Sequence, residues 1–235
     1  MDITIFTVTF NEEFHMQYMI NHYRKNFPNC KIVVYDNYST DNTVNICKNN
    51  NVEVIFFDTN SKFSDTKHIE IKNNCWKNSN SSWILTCDTD ELLDINESQL
   101  YEEELLGTSI IRFEGYNMVN LEGDSTLETI KYGARAVAYD KPYLFNKNHI
   151  KEINYSVGCH SCNPIGNIIL SKNIYKAYHY RFINLELTLN RCALYGKRLS
   201  DENIKNGWGL HYLKKSKEIE EEYSMLRSKA IKLLD

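Results

Sequence analysis

The chain is poor in proline, with 3 residues in 235, and it has no uninterrupted apolar run of the roughly 18–20 residues a membrane-spanning helix needs. A transmembrane segment is therefore excluded at the level of sequence. No basic-then-apolar leader precedes the first strand pattern, so a cytoplasmic location is expected. No stretch gathers lysine and arginine into a basic face, and the formal net charge is −4, which argues against nucleic acid as a partner. Seven cysteines, an odd number scattered from Cys30 to Cys192, do not form a disulfide framework and fit reduced thiols. The Asn-x-Ser triplets at Asn37, Asn80, Asn96 and Asn154 are expected to carry no glycan without an entry signal. With 42% apolar and 25% charged residues, disordered and collagen-like classes are excluded as well. What remains is a globular chain long enough for a sizeable core, rich in tyrosine with 16 residues.

Its most informative feature is Asp88-Thr89-Asp90-Glu91, which follows the apolar run Trp83-Ile84-Leu85-Thr86-Cys87. Two aspartates one residue apart, where a buried strand ends and the backbone turns, can bend toward one point. That concentration of negative charge calls for a hard divalent cation, Mn²⁺ or Mg²⁺.

The first half alternates β-rich runs with amphipathic stretches: Ile3 to Thr9, then Phe14 to Phe27; Lys31 to Tyr35, then Thr40 to Asn49; Val52 to Phe57, then Ser64 to Lys77; finally Trp83 to Cys87. This βαβαβαβ order predicts an α/β fold, a mainly parallel sheet flanked by helices, with ligands beyond the carboxyl ends of the strands. Thr9-Phe10-Asn11-Glu12, Asp36-Asn37, Asp58 and Asp88-Thr89-Asp90 then share one rim. Thr40 is expected to start the second helix, and Asn96 with Gln99 has capping-box spacing for a helix running to Leu106. Beyond Gly107 the pattern turns β-rich, with runs at Ser109 to Phe113, Ala134 to Tyr139 and Ile168 to Tyr180. The tail from Lys214 to Leu234 has helical spacing at Ile219, Tyr223, Leu226 and Ile231. We therefore expect one domain over residues 1–235, with an alternating α/β half at 1–106, a β-rich half at 107–212 and a C-terminal helix at 213–235.

Strand-end carboxylates suit a nucleotide: Asp36 can accept bonds from a base or ribose, while the acidic pair holds a metal on a diphosphate. Four motifs in order strengthen that reading. Thr7-Val8-Thr9-Phe10-Asn11-Glu12, Val34 through Thr43, Ile71-Lys72-Asn73-Asn74-Cys75-Trp76 and Trp83 through Leu93 together resemble the nucleotide-binding half of family 2 glycosyltransferases with the GT-A fold, over roughly residues 1 to 95. The resemblance implies a nucleotide-sugar donor, with UDP as nucleotide, bound by the half at 1–106, and a hydroxyl acceptor on a carbohydrate, lipid or protein, bound by the half at 107–212. Asp36 would lie near the base or ribose, Thr9, Asn11 and Glu12 in the same pocket, Lys72 near a uracil edge or phosphate, and Asp88, Thr89 and Asp90 at the diphosphate and metal. Three looser matches to a subgroup of these enzymes, Tyr155 to His160, Tyr178 to Arg181 and Trp208 to Tyr212, nominate His179 or His160 to complete the metal shell.

An inverting reaction needs a carboxylate base near the acceptor hydroxyl, and Glu114, Glu122, Asp124 and Glu186 are candidates. Glu114 is preferred because it follows a β-rich run. Tyr116 and Tyr155 are candidates to stack on sugar rings. Cys159-His160-Ser161-Cys162 has the bite of a zinc half-site, but no second pair accompanies it. Three rival readings exist. An Asp-x-Asp phosphatase places its motif after the first strand, whereas here it follows the fourth; a nucleotidyltransferase needs a Gly-rich basic loop that Thr9 to Glu12 lacks; a non-catalytic carbohydrate-binding domain would ignore metal and nucleotide.

Overall fold

The computed structural model describes residues 1–123 and 126–234. Its strands are β1 (Ile3–Thr9), β2 (Lys31–Asp36), β3 (Glu53–Phe56), β4 (Trp83–Cys87), β5 (Glu91–Asp94), β6 (Ile110–Val119), β7 (Tyr132–Arg135), β8 (Leu144–Asn146), β9 (Ile150–Glu152), β10 (Ile165–Gly166), β11 (Leu170–Phe182) and β12 (Ile231–Lys232). The α-helices are α1 (Glu13–Asn26), α2 (Thr43–Asn49), α3 (Asp65–Asn74), α4 (Glu97–Leu105), α5 (Leu185–Arg198), α6 (Asp201–Asn206) and α7 (Ser216–Lys229).

All seven residues of β1 are buried, because it pairs in parallel with β2 on one side and β4 on the other. A strand covered on both faces has no polar side to alternate with, so β1 and β4 read as continuous β-branched and apolar runs. β3 joins β2 in parallel, completing the block β3-β2-β1-β4, the mainly parallel α/β core expected from the alternation. The sheet then continues through antiparallel β8 to β6, β7 and β12, while β11 lies parallel to β6 and antiparallel to β5. α1 turns His15, Met16, Met19, Ile20 and Tyr23 inward, one stripe of a 3.6-residue period. That stripe meets Ile3, Ile5, Trp83 and Leu85, and the same apolar cluster continues into Phe113, Tyr175 and Tyr178 of the later strands and Tyr143 just before β8. α4 begins with the expected reciprocal cap between Asn96 and Gln99.

Several boundaries differ from expectation, each for a local reason. α2 starts at Thr43, because Thr40 is held in the preceding turn, its amide donating to Asn11 Oδ1 at 2.7 Å. β6 does not stop at Phe113 but runs on to Val119, since β11 and β7 pair with its second half. Ala136 to Tyr139 leaves the sheet in a short 3₁₀ turn. In the tail, Ile219 and Leu226 are buried on α7, but Ile231 belongs to β12 and is exposed, because two residues there pair with the edge of β7.

Two pairings position the site. Thr9 lies opposite Asp36 and Thr7 opposite Cys87, so the carboxyl ends of β1, β2 and β4 open on one edge. β11 runs antiparallel to β5 with His179 opposite Glu91, which delivers its carboxyl end to the same edge.

Candidate active site

A cavity of about 220 Å³ opens at that edge, walled by the end of β4, the first turns of α3, the 157–160 turn, the end of β11 and α5. Asp88 and Asp90 both face it, but their environments differ. Asp88 is 39% exposed at its side chain; Lys72 Nζ donates to its Oδ1 at 2.6 Å, and Lys141 Nζ lies 3.6 Å from Oδ2. Lys141 also donates to Glu91 Oε1 at 2.5 Å, while Glu91 Oε2 accepts from the Asp88 amide at 2.8 Å. Asp90 is buried; Arg191 Nη1 reaches its Oδ2 at 2.5 Å and His179 Nε2 lies 3.2 Å from the same oxygen. Arg191 turns its other Nη to Glu12 Oε1 at 2.7 Å, and Glu12 also holds His15 and Tyr195.

Burial by itself raises a carboxyl pKa, yet both aspartates stay well below the usual carboxylate range. Lys72 and Lys141 outweigh burial at Asp88, and Arg191 and His179 outweigh it at Asp90. Asp65, at the start of α3 and on the cavity wall, is the opposite case. Burial and then the Asp88 charge push it up to about 6. His68, on the same wall, is pushed down to about 3 by burial and then by Lys72, so it is neutral.

The structure brings Glu12, Lys72, Asp88, Thr89, Asp90, His160 and His179 around this one cavity. Thr9 is buried beneath it, with Thr89 Oγ1 3.4 Å from its hydroxyl. Asn11, just past β1, and Asp36, the last residue of β2, are engaged locally: Asn11 with Thr40, Asp36 with the amide and hydroxyl of Ser39 at 2.8 and 2.5 Å. Arg198 covers that side, its guanidinium 3.2 Å from the centre of the Phe10 ring and bonded to Asn37 Oδ1. Asn73, next to Lys72, fastens α3 to the Tyr155 amide at 2.8 Å.

The two histidines stand differently. His179 meets Asp90, and its Nδ1 lies 2.7 Å from Asn117 Oδ1, so with the amide oxygen accepting, Nε2 is the nitrogen presented to the acid. His160 stands across the cavity, its Nδ1 donating to the Ala138 carbonyl at 2.7 Å. Gly158 makes room for it: its φ is +67°, and an added Cβ would fall 2.6 Å from His160 Nε2. Among the described residues no three His, Cys, Asp or Glu side chains gather into a ready-made metal cage. Asp90 Oδ2 is already shared by Arg191 and His179, whereas Asp88 is half-open, so a divalent ion here would draw most of its ligands from phosphate oxygens and water and not from side chains.

Glu114 lies in mid-strand, not on the rim. It is three residues, or about 10 Å of extended chain, upstream of Asn117, and its carboxylate accepts from Tyr116 at 3.2 Å. Glu122 accepts from Tyr132, Glu186 borders a separate hollow beside Ile183 and Leu187, and Asp124 lies outside the described residues. Tyr155 is buried, not exposed, with its hydroxyl donating to the Pro142 carbonyl at 2.9 Å. All seven cysteines are free thiols.

Sequence reasoning missed Lys141, Arg191 and Asp65. Arg191 could have been found, because α5 buries Thr188, Cys192, Tyr195 and Arg198, and a second arginine on that same inward stripe is a cation placed for a purpose. Lys141 has no comparable local signal.

Comparison with known proteins adds the following. No curated protein matches the chain. Among solved structures, S. aureus TarS aligns at 15% identity and a TM-score of 0.49, covering 84% of this chain and 39% of its own. TarS 1-349 in complex with UDP aligns at 16% identity and a TM-score of 0.48, covering 84% and 65%. Glucosyl-3-phosphoglycerate synthase from Mycobacterium tuberculosis, in complex with Mn²⁺, UDP and glucosyl-3-phosphoglycerate, aligns at 15% identity and a TM-score of 0.33, covering 48% and 44%. The chain thus spans less than two thirds of the length of each of these proteins. Residues 4–103, the stretch holding β1 to β4 and the acidic tip, match the model of glycosyl transferase family 2, and through that segment the chain is glycosyltransferase family 2-like.

Proposed function

We propose that this chain transfers a sugar from a nucleotide-diphosphate donor, with UDP as nucleotide, to a hydroxyl on a glycan, lipid or protein. The observation that carries the reading is the meeting of Asp88, Thr89 and Asp90 with Lys72 and His179 around one cavity at the carboxyl edge of a parallel sheet. In this reading Thr9, Asn11 and Asp36 serve the nucleoside end of the donor, and Glu12 acts through Arg191, holding it against Asp90. Lys72 and Lys141 stay charged despite burial, because Asp88 and Glu91 face them, and they direct positive charge at the leaving diphosphate. Asp90 and His179, with Asp88 beside them, would hold Mn²⁺ or Mg²⁺, which when bound supplies Lewis-acid stabilisation of that leaving group. His179 is kept in register by Asn117, and Tyr139 stacks on its ring at 3.9 Å, so the imidazole is oriented before any ligand arrives. A cytoplasmic setting suits the free thiols. Among the described residues no helix is long and apolar enough to cross a membrane.

The test is a thermal melt with UDP, GDP, CMP and TDP, each with and without Mn²⁺. UDP with Mn²⁺ should raise the wild-type midpoint, by mass action on the folded state, and Asp88→Asn or Asp90→Asn should abolish that rise. A rise that persists in both variants refutes the site. Hydrolysis of a simple phosphomonoester without any nucleotide sugar would favour the phosphatase reading instead.

A further inference from the structure

One buried tyrosine bonds to both segments that carry the cavity lysines. Tyr155 lies between β9 and the 157–160 turn and is 5% exposed. The Asn73 carboxamide clasps its backbone: Oδ1 accepts from the Tyr155 amide at 2.8 Å, and Nδ2 donates to the Tyr155 carbonyl at 3.5 Å. Asn73 is the residue after Lys72 on α3. At the far end of the ring the Tyr155 hydroxyl accepts from Thr86 Oγ1 at 2.7 Å and donates to the Pro142 carbonyl at 2.9 Å. Thr86, in β4, stands two residues before Asp88, and Pro142 is the residue after Lys141.

A lysine side chain is long and flexible, so where its Nζ ends depends on where its backbone is held. Lys72 Nζ reaches Asp88 at 2.6 Å and Lys141 Nζ reaches Glu91 at 2.5 Å, from two segments that are remote in sequence. The 141–143 segment is tied to β4 once by the Thr86 amide, which donates to the Tyr143 carbonyl at 2.8 Å. The Tyr155 hydroxyl adds a second tie there, and the Asn73 clasp carries it on to α3. Packing against Phe145, Ile153 and Cys159 in one apolar cluster holds the ring itself. Tyr155 is not one of the residues that line the cavity, so its influence on a ligand passes through the groups it aligns.

We propose that Tyr155 is a positioning residue, which through Asn73, Thr86 and Pro142 sets Lys72 and Lys141 side by side against the anionic end of the donor. The identity of that ligand rests on the donor reading above, whereas the alignment of the two lysines rests on these hydrogen bonds alone. Loss of the hydroxyl therefore acts on anion affinity and on the shielding of the lysines, beyond any effect on stability.

The experiment uses the full chain and two readouts. Calorimetric titration with UDP and Mg²⁺, well below the melting midpoint, should show Tyr155→Phe binding UDP about tenfold or more weakly, as a charge-assisted contact falls out of line. Tyr175→Phe, which takes a buried hydroxyl away from Glu103 Oε1 at 3.0 Å, controls for general loosening and should stay within about twofold of wild type. The second readout needs no ligand: acetylation of lysine amines followed by peptide mass spectrometry, with the exposed Lys217 as reference. Lys72 and Lys141, with side chains 7% and 4% exposed, should be shielded in the wild type and label several-fold faster in Tyr155→Phe. Thr86→Val should reproduce both effects in part, and Thr86→Ser, which keeps the hydroxyl, should restore wild-type behaviour. UDP affinity in Tyr155→Phe within about twofold of wild type, or an equal loss in Tyr175→Phe, overturns the proposal. So does unchanged lysine labelling in Tyr155→Phe or, where that variant does not fold, in Thr86→Val. A wild type that ignores UDP, while its lysines still lose their shielding in Tyr155→Phe, sinks the donor reading and leaves the positioning role standing.

Discussion

Lys141→Met is the sharpest test of how this cavity is held together. Lys141 and Glu91 have side chains 4% and 1% exposed, with Nζ and Oε1 2.5 Å apart. Methionine has similar length and no charge, so the substitution removes the cation without opening a large void. Glu91 then keeps one partner, the Asp88 amide on Oε2, while Oε1 is left buried and unpaired. Removing one member of a buried ion pair costs about 3–5 kcal/mol, far more than the pair itself is worth against an apolar replacement. For a chain of this size each kcal/mol moves the melting midpoint by about 2–4 °C, so a fall of about 6–20 °C is expected. Adding Glu91→Gln removes the orphaned charge, and the double variant should recover most of the loss, with a coupling energy above about 2 kcal/mol in a double-mutant cycle. Urea unfolding of the four proteins measures it. A Lys141→Met variant within about 1 kcal/mol of wild type, or a double variant no more stable than the single, would show that Lys141 and Glu91 are not the buried pair described here.

Asp65→Asn should stabilise the fold at neutral pH. The folded carboxyl titrates at about 6 and the unfolded one near 4, so the unfolded chain ionises first as pH rises. The penalty grows through that window and reaches about 2–3 kcal/mol above it. Unfolding curves at pH 4 and pH 7.5 should show the gain only at the higher pH; a gain independent of pH refutes the assignment. Gly158→Ala should destabilise by about 1–2 kcal/mol, from the left-handed backbone and from the methyl forced against His160. An unchanged melting midpoint would mean that the 157–160 turn is not held as described.

The parallel half was legible because its information is local. β1, β4 and the α4 cap were readable to within a residue: a strand buried on both faces is a continuous apolar run, and a capping box is a three-residue spacing. Asp88 and Asp90 were legible for the same reason, as acids at a strand end. β6 was misread because what extends it past Phe113 is pairing with β7 and β11, and no residue within β6 records that. Glu114 was misplaced with it.

The charges around the acidic tip show the limit most clearly. Sequence alone determined that two carboxylates would stand at the end of a buried strand on the carboxyl edge of a parallel sheet, because strand order and strand ends follow from periodicity; it did not foresee that Asp90 would be buried. Only the tertiary structure decided that Asp90 faces Arg191 from 101 positions away and that Glu91 faces Lys141 from 50 positions away. Ion pairs carry no periodicity, and any of many lysines and arginines could serve until the backbone brings one within reach. The packing of α5 and β11 makes that choice.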